Sequence, residues 1–358
     1  MKKIYFIIVM VALISYGCDK GTKKGDEGKD RFKPQSGESA QEAALLKQAQ
    51  TLFAALPENA DNPDNPVTAP KVKLGKVLYF DNRLSKDQTQ SCNTCHNLSA
   101  FGVDNESFSE GDDGSMGDRN SPTVLNAALH STQFWDGRAK DVEEQAGLPV
   151  LNPVEMAIPS EKFLVDRLSG VKMYQDMFAA AFPESKKPLT YENIRLAIAA
   201  FERTLLTPSK WDDYLKGNTA ALSEQEQKGL ETFISVGCIT CHTGSLIGGN
   251  MFQKFGLFGN YWELTGSENI DLGRMKETNN EMDKYMFKVP SLRNIAKTWP
   301  YFHDGSVKDL KEAAVIMAKL GLNKDLTEEQ ADDIVIFLNA LTGDLPEDVK
   351  KAPAELTM

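Results

Sequence analysis

Ser91-Cys92-Asn93-Thr94-Cys95-His96-Asn97 decides how this chain is read, and Cys238-Ile239-Thr240-Cys241-His242 repeats its core. Cys-x-x-Cys-His is the spacing at which c-type haem is attached. The two thiols add across the haem vinyl groups, and the adjacent histidine becomes the proximal iron ligand. The two copies use four of the five cysteines and two of the four histidines. A redox dithiol needs no histidine directly after it. A four-cysteine zinc site needs its pairs far closer than the 146 positions that separate these two. The repeat predicts two covalently bound c-type haems.

Outward from the motifs, the 358 residues suffice to bury a core around two cofactors. Lys2 and Lys3 precede eleven apolar residues, Ile4 to Ile14, and then Ser15-Tyr16-Gly17-Cys18. This reads as an export signal over 1–17, too short to span a bilayer as a helix. Cys18, the odd cysteine, stands where a lipoprotein signal peptidase would cut and lipidate, although Ser15 replaces the usual Leu. The expectation is a periplasmic protein anchored by lipid at Cys18. Removing 1–17 takes away two lysines and no acid, so the formal charge of −11 becomes −13. Such acidity argues against nucleic acid and suits a basic docking partner.

Residues 18–40 are polar and charged and read as a disordered tether. Helical periodicity starts near Gln41 and stops before Pro57; it resumes over 71–80. Residues 97–120 read as a long loop, and Ser121-Pro122 as a helix start with proline in its first position. Helices are expected at 160–181 and 190–205, and Thr207–Thr219 as the crossing between domains. Ser223-Glu224-Gln225-Glu226 and Thr327-Glu328-Glu329-Gln330 are capping-box patterns. The first opens the helix that delivers the second motif. Residues 243–290 are irregular, with further helices at 308–320 and 327–342. The fold class is mainly α, in two cytochrome c-like domains with one haem each: 41–206 and 207–343, followed by a tail, 344–358, placed on the N-terminal domain.

In this order, several segments resemble the bacterial dihaem cytochrome c peroxidases. They are Leu74-Gly75-Lys76, Arg83-Leu84-Ser85, Arg119-Asn120-Ser121-Pro122-Thr123, Phe134 to Ala139, Val154-Glu155-Met156 and Pro300-Tyr301-Phe302-His303-Asp304-Gly305. The resemblance implies that the N-terminal haem, on Cys92, Cys95 and His96, is peroxidatic. The C-terminal haem, on Cys238, Cys241 and His242, would take in electrons with Met317 as its distal ligand. Glu155 occupies the family's acid/base position, Gln145 a neighbouring polar one, and Trp135 that of the tryptophan between the haems. His303 implies a polar contact near the second haem. Asn120, Thr298 and Pro300 match the ligands of a calcium ion between the domains, where hard oxygen donors suit the ion.

The activity so implied is reduction of hydrogen peroxide to water with electrons from a small c-type cytochrome or copper protein. Two alternatives stay open: a dihaem oxidase acting on a partner protein, and a pure electron-transfer dihaem cytochrome. The family is commonly a homodimer, which the residues themselves do not decide. One departure stands out. Many members carry a histidine between the first motif and Arg-Asn-Ser-Pro-Thr that blocks the peroxidatic iron at rest. Here residues 97–120 contain none. Met116 is the loop's only thioether, and His130 is expected in the helix beyond it.

Overall fold

Two helix pairs, each crossing closely at a glycine, frame the fold. The computed structural model describes residues 39–356; the export signal, Cys18 and the tether up to 38 lie outside the described residues, while Ser39 and Ala40, read as its end, cap and begin a helix. Helix Ala69–Phe80 starts with Pro70 in its first turn and packs along helix Tyr191–Glu202. Leu74, Val77 and Leu78 meet Ile194, Ala197 and Ile198 in one buried cluster. A Cβ on Gly75 would stand 1.9 Å from the Ala197 carbonyl oxygen, so only glycine allows this approach.

The second half repeats the device. Helix Glu224–Val236 is opened by a capping box between Ser223 and Glu226, and helix Glu328–Ala340 by one between Thr327 and Gln330. They cross at Gly229, where a Cβ would lie 2.2 Å from the Asp333 carbonyl oxygen. Leu230, Phe233, Ile334 and Phe337 fill the crossing. Each half also buries an arginine–carboxylate pair. Arg203 meets Glu143 through two hydrogen bonds of 2.7 Å, and Arg293 meets Asp212 at 2.6 and 3.0 Å.

Three expectations change. The helix Ala40–Leu52, assigned with the first domain, sends Leu45, Leu46 and Ala49 into the cluster that holds Trp211, Phe233 and Phe337. Phe53 stacks edge-on against Trp211 at 5.4 Å, and Leu56 N–H donates to Asp212 Oδ1 at 2.7 Å. By packing this stretch belongs with the second half, and Trp211, read as part of a domain crossing, is fully buried core. The helix expected over 160–181 is two, Glu161–Ser169 and Lys172–Ala181, broken at Gly170–Val171.

Ser121-Pro122 starts no helix. Val124 N–H bonds to the Gly102 carbonyl and Thr123 Oγ1 to that of Phe101, which holds the segment extended until a single 3₁₀ turn at Ala127–Leu129. The local proline signal loses to these long-range bonds.

Among the described residues, strand structure is limited to an antiparallel pair, β1 (Phe252–Lys254) and β2 (Met286–Lys288), with Phe252 opposite Lys288. The C-terminal stretch runs along the first half: Leu345 packs with Tyr79, Leu98 and Phe201, and Glu355 pairs with Lys73 at 2.7 Å.

Candidate active site

The first motif forms a four-residue helix, Cys92–Cys95, with His96 just beyond it. Tyr79 Oη donates to the His96 carbonyl at 2.6 Å, which ties the motif to helix Ala69–Phe80. His96 Nδ1 is buried and has no hydrogen-bond partner among the described residues. Burial lowers the imidazole's pKa, so the ring is neutral and free to act as a ligand.

Glu155 lies near this motif. Burial raises its pKa, Asn152 and the charge of Arg138 oppose the rise, and Asp118 adds to it. Asn152 Nδ2 donates to Glu155 Oε1 at 2.7 Å. The Cys95 thiol is pushed up to about 11, by burial first and by the charges of Asp104 and Glu155 after it. A carboxyl raised in this way holds its proton more firmly than an ordinary one and is suited to exchanging it with a bound substrate.

The loop 97–120 is pinned here. Asp112 N–H donates to the Glu155 carbonyl at 2.7 Å, and Lys86 N–H to that of Met156 at 2.8 Å. Asp112 Oδ2 in turn accepts from Asp87 N–H at 2.6 Å. Gln145 ends the short helix Val142–Gln145, capped by Asp141. Met116 points away from any core, 58% exposed.

The second motif is a 3₁₀ turn, Cys238–Thr240, delivered by Gly237 with φ +101° at the end of helix Glu224–Val236. His242 Nδ1 sits 3.0 Å from the Ile247 carbonyl. With Nδ1–H donating, Nε2 is left as the ligand atom. A largely apolar cavity opens beside it, lined by Cys238, Cys241, His242, Phe233 and Met317, the last from helix Leu310–Leu322. The lining contains no Asp or Glu among the described residues.

The same cavity reaches Trp135, His303, Asn120, Thr298 and Pro300. Trp135 Nε1 donates to the Asn120 carbonyl at 2.9 Å, and its own carbonyl accepts from Lys288 N–H at 2.7 Å, so it joins the two halves. His303 stacks on Phe287 at 4.3 Å, and neither ring nitrogen has a partner among the described residues. Asn120 N–H donates to the His303 carbonyl at 2.7 Å.

None of the four motif cysteines is in a disulfide. Burial raises the thiols of Cys92 and Cys238 as well, the latter to about 12. At the second motif, thiols beside an apolar cavity and a histidine whose Nε2 is left as the ligand atom fit thioether-bound haem; the first motif repeats the same spacing. The residues present therefore fit the group.

The sequence reading gives no site role to Asn152, Arg138 or Lys288, and names His130 only in a helix beyond the first loop. Asn152 was findable from its place three residues before Glu155. Arg138 stands in the quoted Phe134–Ala139 segment, stacked 3.5 Å over Phe134, while Lys288 gives no signal before folding.

The chain is 43% identical to the cytochrome c551 peroxidase of Pseudomonas aeruginosa over 309 residues, 86% of this chain and 89% of that one. It belongs to the di-haem cytochrome c peroxidase family. The family's own model, described as di-haem cytochrome c peroxidase, matches residues 69–220. The cytochrome c551 peroxidase of Nitrosomonas europaea is 42% identical, over 86% of this chain and 88% of that protein. Among solved structures, a MauG-like protein associated with microbial copper homeostasis superposes with a TM-score of 0.72 at 30% identity, covering 83% of this chain and 95% of that one. Membership in this family implies two c-type haems. No helix among the described residues is long and apolar enough to cross a membrane.

Proposed function

We propose that this chain is an exported peroxidase that reduces hydrogen peroxide to two waters, consuming two protons and two electrons. The electrons come from a small c-type cytochrome or copper protein. One contrast carries the reading. A half-buried carboxyl, Glu155, stands near the first motif, whereas the second motif opens on a cavity with a thioether and no carboxylate.

Cys92, Cys95 and His96 would hold one haem, and Cys238, Cys241, His242 and Met317 the other. When bound, haem supplies an iron that accepts peroxide at the first site and passes single electrons at the second. Glu155 takes a proton from one peroxide oxygen and returns it to the other. Asn152 fixes its Oε1, and Gln145 is assigned to orienting the peroxide. Trp135 bridges the two halves. His303 gives a polar contact on the second-haem side, and Asn120, Thr298 and Pro300 offer oxygen donors to a calcium ion in the same cavity. Cys18 is assigned as the lipidated residue.

Steady-state assay of the holoprotein with peroxide and a reduced c-type cytochrome tests this. Two cytochromes oxidised per peroxide is the expected result. No turnover by protein carrying both haems would reduce the role to electron transfer. Oxidation of a partner protein's side chains instead would move it to the dihaem oxidases.

A further inference from the structure

Glu155 rides on a turn that closes on itself. Its N–H donates to the Asn152 carbonyl at 3.1 Å, and Ala157 N–H, from a residue with φ +53°, reaches the same carbonyl at 2.9 Å. The Asn152 side chain completes the ring, with Nδ2 donating to Glu155 Oε1 and Oδ1 accepting from Val154 N–H at 3.2 Å. Carboxyl and backbone of this turn therefore move as one body. Toward the first motif it is attached through Asp112 N–H, on the Glu155 carbonyl, and Lys86 N–H, on that of Met156.

Both attachments end on one clamp. Asp112 is 9% exposed, and its Oδ2 accepts from the N–H of Asp87, the residue after Lys86, at 2.6 Å. Its Oδ1 accepts from the Thr89 hydroxyl at 2.5 Å and from Thr89 N–H at 3.3 Å. Burial raises this carboxyl, but the bonds from Thr89 and Asp87 outweigh it, so it accepts as an anion. Thr89 leads through Gln90 and Ser91 into Cys92. The carboxylate thus joins the stretch that enters the motif to the turn that carries Glu155. Gly111 permits the approach, because a Cβ there would lie 2.3 Å from the Val154 carbonyl oxygen.

We propose that Asp112 is a positioning residue for peroxide reduction: its carboxylate fixes the place of Glu155 relative to the haem attached at Cys92 and Cys95. The proposal rests on the acid/base reading of Glu155 given above. A carboxyl that passes a proton between two oxygens works only within hydrogen-bond reach of both, and a displacement of about 1 Å costs on the order of 10² in rate. Because the clamp acts through Glu155, losing the clamp and losing the carboxyl are not additive.

Steady-state kinetics of the holoprotein test this, with haem content and the second haem's potential measured beside them. Asp112→Ala should keep both haems and that potential, lower kcat by about 10- to 10²-fold and leave the KM for reduced cytochrome near the parent. Its acid limb should move down toward the ordinary carboxyl range, as a freed Glu155 gains water. Asp112→Asn keeps an oxygen for Asp87 N–H and an amide that donates to the Thr89 hydroxyl, so it should recover most of the loss. In the Glu155→Gln background, Asp112→Ala should cost nothing further. A full-size loss in that background, or parent kcat and acid limb in Asp112→Ala alone, would overturn the proposal. If Asp112→Ala retains fewer than two haems, Thr89→Val decides. A smaller fall in kcat with the same shift of the acid limb supports the clamp, and parent values for both overturn it. Parent turnover in Glu155→Gln would overturn the acid/base reading itself, whatever Asp112→Ala does.

Discussion

The two halves share a frame and differ in what they hang on it. Both cross a helix pair at a glycine, Gly75 against Ala197 and Gly229 against Asp333, and both bury an arginine–carboxylate pair. Yet His242 is fixed through Nδ1 to the Ile247 carbonyl, while His96 Nδ1 has no partner among the described residues. The second site is a largely apolar cavity with Met317 in its wall; the first has Glu155 beside it, with Arg138 and Asn152 acting on the carboxyl. A repeated scaffold can therefore carry two chemistries, because the deciding side chains come from turns and loops outside the repeated helices.

The contrast can be broken from either side. The largest effect is expected at Met317. Met317→His should lower the second haem's potential by on the order of 0.2 V, a fraction of the ~0.8 V range that axial ligands cover. Potentiometry that finds no change would remove Met317 as a ligand. Glu155→Gln keeps shape and removes the titrating group, so peroxide turnover should fall by about 10²–10⁴ with haem content intact. Because burial raises the Glu155 pKa, the acid limb of kcat/KM should lie above the ordinary carboxyl range and vanish in the variant. Near-parent turnover across pH would sink the acid/base role.

The shared frame gives the next effect. Arg203→Met and Arg293→Met each strand a buried carboxylate, and each should destabilise by about 3–5 kcal/mol in denaturant unfolding. Glu143 adds a sign. Its bonds to Arg203 and the asparagines Asn62 and Asn65 outweigh burial and hold it at about 2, below its unfolded value. The pair's stabilisation is complete above roughly pH 4.5 and is lost as pH falls toward 2. Glu143→Gln should flatten that acid dependence, and an unchanged acid transition would contradict the assignment. The smallest effect concerns docking. At a formal charge of −11 for the whole chain, the KM for a basic cytochrome should rise a few-fold with ionic strength. A flat profile would make docking wholly apolar.

Much of this was legible before folding, for reasons that are local. The motifs, the two capping boxes and the helices around Gly75 and Gly229 depend on spacing and on near neighbours, and they appear where expected. What failed depends on partners far along the chain. Pro122 looks like a helix start until Phe101 and Gly102 take its neighbours' hydrogen bonds. Ala40–Leu52 shows an apolar face but not which half it covers. Lys288 reads as an ordinary strand lysine until folding buries it against His130, 158 positions away.

The central claim is that the protein supplies a fixed second ligand to one haem only. Residues 97–120 hold no histidine, the Met116 side chain is exposed, and His130 is bonded to Lys288 in the wall of the other cavity. EPR of the fully oxidised holoprotein tests this most directly. A high-spin ferric signal beside a low-spin one is expected, with peroxide reacting before any reduction. Two low-spin ferric haems at rest, and activity only after one electron is added, would contradict the account.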